Sequence, residues 1–393
     1  MPSFIRNLWK RNTQPQLDGG LVFSRPLVIL QSDDWGRVGV RDQEGSDALR
    51  AAGLMLGESP YDSYTLETAD NLGALRELLL RHRDSVGRPA CMVMNFITAN
   101  LDFPKMAAAD FRHIHLKPLA EGLPGAWERP GLFEAYRQGT SDGVFHPALH
   151  GLTHFCWPAV EQQLTGHDQR FDLLRSLWKA ETPYIHWRMP WVGYEYWSPE
   201  RKPVERFLSA ELQEQLIRQA IENFKAMFGT SPSTACAPGY RANENTRRAW
   251  AQHGIRVAQN GAGSSTPCHL DENEMLQLYR NLDFEPATAP QFSVEDCLRV
   301  ADENLANHMP LIVSLHSINF HSTIRDFCSP TLAALDRFLS ALERKYPDLL
   351  YVHDADMYQG VTRGSFDGPH GTITVTVKQS TNAAPITEKR GPR

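Results

Sequence analysis

"RPLVILQSDDWG", residues 25–36, is the stretch on which the fold reading turns. The apolar run 27–30 has the character of a short buried strand. Two adjacent carboxylates, Asp33 and Asp34, arrive where that strand should end. Side chains alternate sides along a strand, so the two acids are expected to point in different directions. Each ionised carboxylate is also costly to hold near a core. Such a pair either opens a loop and caps a helix, or serves two separate chemical tasks.

The same kind of run recurs along the chain. Strand candidates are 27–30, 91–97, 144–149, 233–238, 255–260, 275–280, 311–316 and 349–353. Amphipathic segments lie between them. One begins at Thr68 with leucines at helical spacing, and another fills 203–229 and ends in glycine. A third opens at Ser293 with an acid three residues on, and a fourth spans 329–347 between prolines. Strand then helix, repeated, implies a parallel sheet with crossover helices. Seven or eight such units suit a closed or nearly closed β/α barrel, whose active site would sit where the strands end.

The expected domain spans residues 27–360, after an N-terminal extension over 1–26. Insertions interrupt it near 98–128 and 181–203, the second packing aromatics among prolines. A tail over 361–393 is expected to be partly disordered, from about Ser380 onward. "TITVTVKQ", just before, reads as a lone edge strand.

At 41% hydrophobic and 22% charged, the 393 residues have ample material for a core. The net charge of −6 argues against nucleic acid. No apolar run is long enough to span a bilayer. The first twenty residues carry no secretory signal, and the six cysteines form no CxxC pair, so a reducing cytoplasm is the expected location.

The polar residues at the strand ends carry the chemistry. "HPALHGLTH" puts His150 and His154 four apart, a spacing that can grip one metal. Otherwise they are two hydrogen-bonded histidines. Two histidines and one carboxylate suit a catalytic zinc or similar divalent ion. Asp33 or Asp34 supplies the carboxylate, and the other becomes the base that takes a proton from water.

"PLIVSLHSINFH" delivers His316 to a strand end, either as a general acid or as a packed histidine, with Asn319 and His321 beyond. In "ACAPGYRANENT", backbone amides of the Pro-Gly turn could line an oxyanion hole, and Arg241 could orient a carboxylate. Ordinary turn and cap chemistry explains the same residues. In the aromatic insertion, His186, Trp187 and Arg188 either touch substrate or anchor a loop. Late in the chain, His353, Asp354 and Asp356 stand at the last strand's end.

Taken in order, "SDDWG", "HGLTH", "APGYR" and "SLH" resemble the motifs of the polysaccharide deacetylase superfamily, the carbohydrate esterase family 4-like enzymes, over roughly residues 27–356. The resemblance implies an α/β fold, a distorted (β/α) barrel of about seven strands, with a divalent metal, usually Zn2+. It also implies hydrolysis of an N- or O-acetyl group on a sugar, in cell-surface polysaccharide metabolism, with an acetylated sugar or polysaccharide precursor as partner. Asp33 then looks like the general base, Asp34, His150 and His154 like the metal ligands, and His316 like the general acid. Trp35, Gly239, Tyr240, Trp187 and Arg188 are the candidate substrate contacts. Two features depart from the family pattern. The arginine expected two residues before the motif proline is replaced by Cys236, with Arg241 following and Asp283 its candidate tether, and Trp35 displaces the glycine after the acid pair. Hydrolysis of another C–N bond, or a binding role without turnover, are the competing readings.

Overall fold

The computed structural model describes residues 20–166, 168–261 and 267–379. Each of the eight expected strands forms, together with a two-residue strand, Leu282–Asp283, that the sequence reading does not include. They are β1 (Leu27–Trp35), β2 (Met92–Phe96), β3 (Phe145–Leu149), β4 (Thr234–Cys236), β5 (Val257–Asn260), β6 (Leu276–Tyr279), β7 (Leu282–Asp283), β8 (Leu311–His316) and β9 (Leu350–Tyr351). The sheet order is β7-β8-β1-β2-β3-β4-β5-β6, with every neighbour in this path parallel. At its start β1 also pairs with β9, through Leu27 and Val28.

The chain itself joins the two ends of this sheet. β6 pairs with β5, and two residues later β7 pairs with β8. Across the gap, Arg280 N–H donates to Asn260 and Asn281 N–H to Ile312. One bent segment is thus handed from one neighbour to the other, which completes the distorted barrel.

Side-chain alternation sorts each strand into an inner and an outer set. Ile29, Val93, Ala148, Val257, Leu276, Leu278 and Ile312 share the inner core. The outer residues Leu30, Met92, Met94, Phe96, Val313 and Leu315 pack beneath helices. These helices are α1 (Ala69–Arg81), α2 (Ala210–Phe228), α3 (Glu244–Gln252), α4 (Val294–Ala306), α5 (Cys328–Lys345) and α6 (Asp354–Arg363). Thr68 starts α1 with a reciprocal capping box. Ser293 caps α4 through the Asp296 amide, but its hydroxyl bonds Glu295 instead of completing a box.

The flanking segments are more ordered than their composition suggests. Residues 365–374 form a hairpin, and Val377–Gln379 pairs antiparallel with Leu21–Phe23, so both ends of the described chain meet. "TITVTVKQ" is therefore two short strands, not one. Residues 380–393, expected to be disordered, lie outside the described residues. The insertion near 98–128 holds a small antiparallel pair, Ala99–Leu101 with Leu116–Pro118. Among the described residues no helix is long and apolar enough to cross a membrane.

Phe338 on α5 is fully buried, its ring 5.2 Å from that of Phe284 beside the closing segment. Phe338→Ala is expected to destabilise the fold by about 3–5 kcal/mol. Urea unfolding should show this as a lower midpoint at unchanged slope.

Candidate metal centre and active site

Strand alternation and one local irregularity build the site. Asp33 continues the inward set of β1, as His150 extends that of β3 and His316 that of β8. By the same rule Asp34 should face outward. However, Ser32 pairs with Met94 and Trp35 with Phe96, so β1 carries one residue more than β2 between these points. That bulge, with Asp34 at φ +75, swings the second carboxylate to the barrel mouth beside the first. Aspartate is one of the few residues that tolerates this left-handed geometry. Tyr64 and Ser317 hydroxyls donate to the Asp34 carbonyl at 2.9 and 3.2 Å and fix the turn. The two acids thus share one cavity, against the divergence expected from alternation alone.

Asp34 Oδ1 lies 3.1 Å from His154 Nε2 and 3.5 Å from His150 Nε2, with no hydrogen-bond partner of its own. All three side chains are buried. His150 Nδ1 is 2.9 Å from the Cys236 carbonyl, which can only accept. A proton therefore sits on Nδ1, which leaves Nε2 as the atom facing the carboxylate oxygen. A buried carboxylate oxygen facing two imidazole nitrogens suits a cation, and orienting the far nitrogen of a histidine is how metal sites are supported. His154 Nδ1 meets the Tyr184 hydroxyl at 2.9 Å, and burial pushes this histidine's pKa down to about 3, keeping it neutral. The donor set fits a divalent ion: two imidazoles and one carboxylate. Asp34 Oδ2 is held by Arg37 at 3.0 Å.

Asp33 is held differently. Arg280, whose side chain is 0% exposed, grips it with Nη2 to Oδ1 at 2.6 Å and Nη1 to Oδ2 at 2.8 Å. Asn95 adds a third bond at 2.7 Å. Burial would raise the Asp33 pKa, but the adjacent guanidinium outweighs it and holds the carboxyl well below the usual range. Arg280 is positioned in turn by Gln31 and Gln259, both of which bond the buried Asp354. Across the cavity His316 Nδ1 bonds Glu285 at 2.7 Å, and His316 Nε2 stands 3.9 Å from Asp33 Oδ2. Burial disfavours the charged imidazole, yet Glu285 raises its pKa to about 9.

Several sequence expectations need correction. Arg241 is exposed, its guanidinium 4.7 Å from the Trp197 ring, and does not line the cavity. The arginine that grips the acid comes from the closing segment, not the Pro-Gly turn. Cys236 lies beside that grip, its Sγ 3.8 Å from Arg280 Nη2. Among the described residues no ion pair joins Asp283 to Arg241, which packs on Trp197 instead. Trp35 is wholly buried and stacks on Phe320, out of reach of any substrate. Arg188 and Trp187 both bond Asp62, and only Trp187 borders the cavity. Gly239 and Tyr240 do line it. His321 lies 3.4 Å from Glu67, which also accepts from the Gly36 amide and Tyr136. Asn319 supports Glu285. His353 and Asp356 cap α6, and the His353 ring is 3.9 Å from that of His146.

Arg280, Glu195, Arg37, Tyr184 and Glu285 were missed. Arg280 had a signal, since it shares strand parity with Leu276 and Leu278. Glu195 had none. It arrives from the aromatic insertion and accepts the backbone N–H groups of Leu152, Thr153 and His154 at 2.8–3.1 Å. Gly151, at φ +85, leaves room for that carboxylate, which a Cβ there would meet at 2.5 Å. The insertion is therefore the support of the histidine loop.

No protein-family model matches the chain, and no curated protein matches it. Solved structures are similar in fold over most of both chains. One described as a polysaccharide deacetylase from Mycobacterium smegmatis is 13% identical, covering 85% of this chain and 89% of that one, with a TM-score of 0.44. The Puue allantoinase is 12% identical, covering 86% and 91%, with a TM-score of 0.44. A family 4 carbohydrate esterase from Streptomyces lividans, in complex with acetate, is 14% identical, covering 82% and 90%, with a TM-score of 0.34.

Glu195→Ala leaves three backbone donors of the histidine loop without their acceptor. Competition with a chromophoric chelator should show affinity for a divalent ion weakened about 10–100-fold, with the circular dichroism spectrum kept. Unchanged affinity would mean the loop holds its shape unaided.

Proposed function

We propose that the protein is a metal-dependent hydrolase that removes an acetyl group from an acetylated amino sugar. The carrying observation is the unpartnered Asp34 oxygen facing two imidazole nitrogens, with a paired acid and a paired histidine on either side. Asp34, His150 and His154 would hold the ion, most simply Zn2+. Such an ion acidifies water toward neutral pH and polarises an acyl carbonyl.

The rest falls to the chain. Asp33 remains ionised beside Arg280 and takes a proton on Oδ2, the oxygen turned toward His316. The guanidinium on both carboxylate oxygens makes Asp33 a weak base, sufficient only for an already acidified donor. His316, charged by virtue of Glu285, gives its Nε2 proton to the departing amine nitrogen. The tyrosines around the cavity offer flat faces to a sugar ring.

Elemental analysis of purified protein, followed by acetate release from acetylated sugars, tests this reading. Asp34→Ala and His150→Ala should lose ion and activity together. Asp33→Asn should keep the ion and lose about 10²–10⁴-fold in rate. A full rate in Asp33→Asn would overturn its role as base.

The pH dependence follows from His316. Its folded-state pKa, about 9, lies above the ordinary 6.5. The stability gained from the Glu285 pair is therefore fully present below about pH 6.5 and is lost as pH rises through about 9. Activity should fall along the same alkaline limb. Glu285→Gln removes the charge that raises the pKa, so the limb should move toward neutral pH in a kcat/KM profile. A limb that stays in place would assign it to another group.

A further inference from the structure

We propose that the cavity admits a small acylated sugar acid, about one ring in size, and that Arg37 receives its carboxylate beside the metal ligands. This deepens the hydrolase reading and rests on it for the acyl group.

Size comes first. The cavity has a volume of about 330 Å³, near the lower limit of small-molecule sites. Its roof is the aromatic insertion. Tyr184, His186 and Tyr194 stand over His154 with ring centroids 5.8–6.3 Å from it. This roof is fastened to the opposite wall. Asp62, buried in the 60–63 turn, accepts from Trp187 Nε1 at 2.9 Å and from Arg188 Nε and Nη2, each at 2.9 Å. Tyr61, on the same turn, lines the cavity. A polymer laid across the mouth on this side would have to break the clasp, whereas a single ring fits beneath it.

Charge comes second. Asp33 is matched by Arg280, His316 by Glu285 and Asp34 by Arg37. A divalent ion added to this balanced set leaves the buried cavity positive, which favours an anionic occupant. Arg37 lines the cavity and is only 7% exposed. Its guanidinium is fixed against the Tyr64 and Tyr184 rings, 4.2 and 5.3 Å from their centroids. Its Asp34 bond occupies Nη1 alone, so donor capacity remains for a planar carboxylate.

Calorimetric binding to the zinc-loaded full chain tests the proposal with three probes. These are the uronic acid of N-acetylglucosamine, N-acetylglucosamine itself and its linear hexamer. The acid should bind at least tenfold more tightly than the neutral sugar, and the hexamer no better than the neutral sugar. Arg37→Met, held at saturating zinc and checked to carry one ion per chain, should abolish the preference. Asp62→Ala, which opens the clasp without touching the ligands, should improve hexamer binding. Equal binding of acid and neutral sugar by the unaltered chain would overturn the proposal, as would tight hexamer binding or a preference that survives Arg37→Met. The two readings fail separately. Acetate release without acid preference ends this inference alone, and acid preference without acetate release from any probe ends the hydrolase reading.

Discussion

A fully buried ion pair, Arg280 with Asp33, is the contact on which fold and site both depend. Asp33 lies at the end of β1, and Arg280 lies where the closing segment passes from β5 to β8. The guanidinium therefore joins the first strand to the segment that completes the barrel. A buried pair of this kind gains little net stability, because desolvation of both ions offsets their attraction. Its effect lies in position and charge. It fixes the Asp33 side chain, keeps it ionised, and aims one oxygen toward the cavity. Gln31, Gln259, Asn95 and Asp354 continue the pair as a polar network through the barrel interior. The interior is thus apolar around Ile29, Val257 and Ile312, and hydrogen-bonded toward the mouth.

Around that pair, each reactive group has its own companion. Arg37 holds one oxygen of Asp34, Glu285 holds His316, and the Cys236 carbonyl and Tyr184 hydroxyl orient the two imidazoles. The supports come from the turn after β1, the segment after β7, the end of β4 and the aromatic insertion. Such dispersion keeps like charges apart and lets neighbouring groups occupy different protonation states at one pH. Local backbone geometry contributes as well. Asp34, His154 and Tyr240 all adopt positive φ, a conformation that surrounding contacts must hold in place.

The sequence alone determined much of this protein. Short apolar runs are legible because strand burial is a local property, and all eight appear where their composition put them. Asp33, Asp34, His150 and His316 could be picked out as polar residues where apolar runs end, and His154 by its spacing of four from His150; the fold brings all five to one cavity. Tertiary structure decided the rest. Nothing local to "SDDWG" reveals the extra residue that turns both acids to one side, because a bulge exists only relative to a neighbouring strand. The arginine that grips Asp33 could be sought near Pro238, but only closure of the barrel brings Arg280 there from the far end of the sheet. Glu195 reads as one acid in an aromatic loop until the fold lays it beneath three backbone amides. Chain-distant partners leave no periodicity in sequence, and apart from the Arg37–Asp34 pair the bonds that complete this site are of that kind.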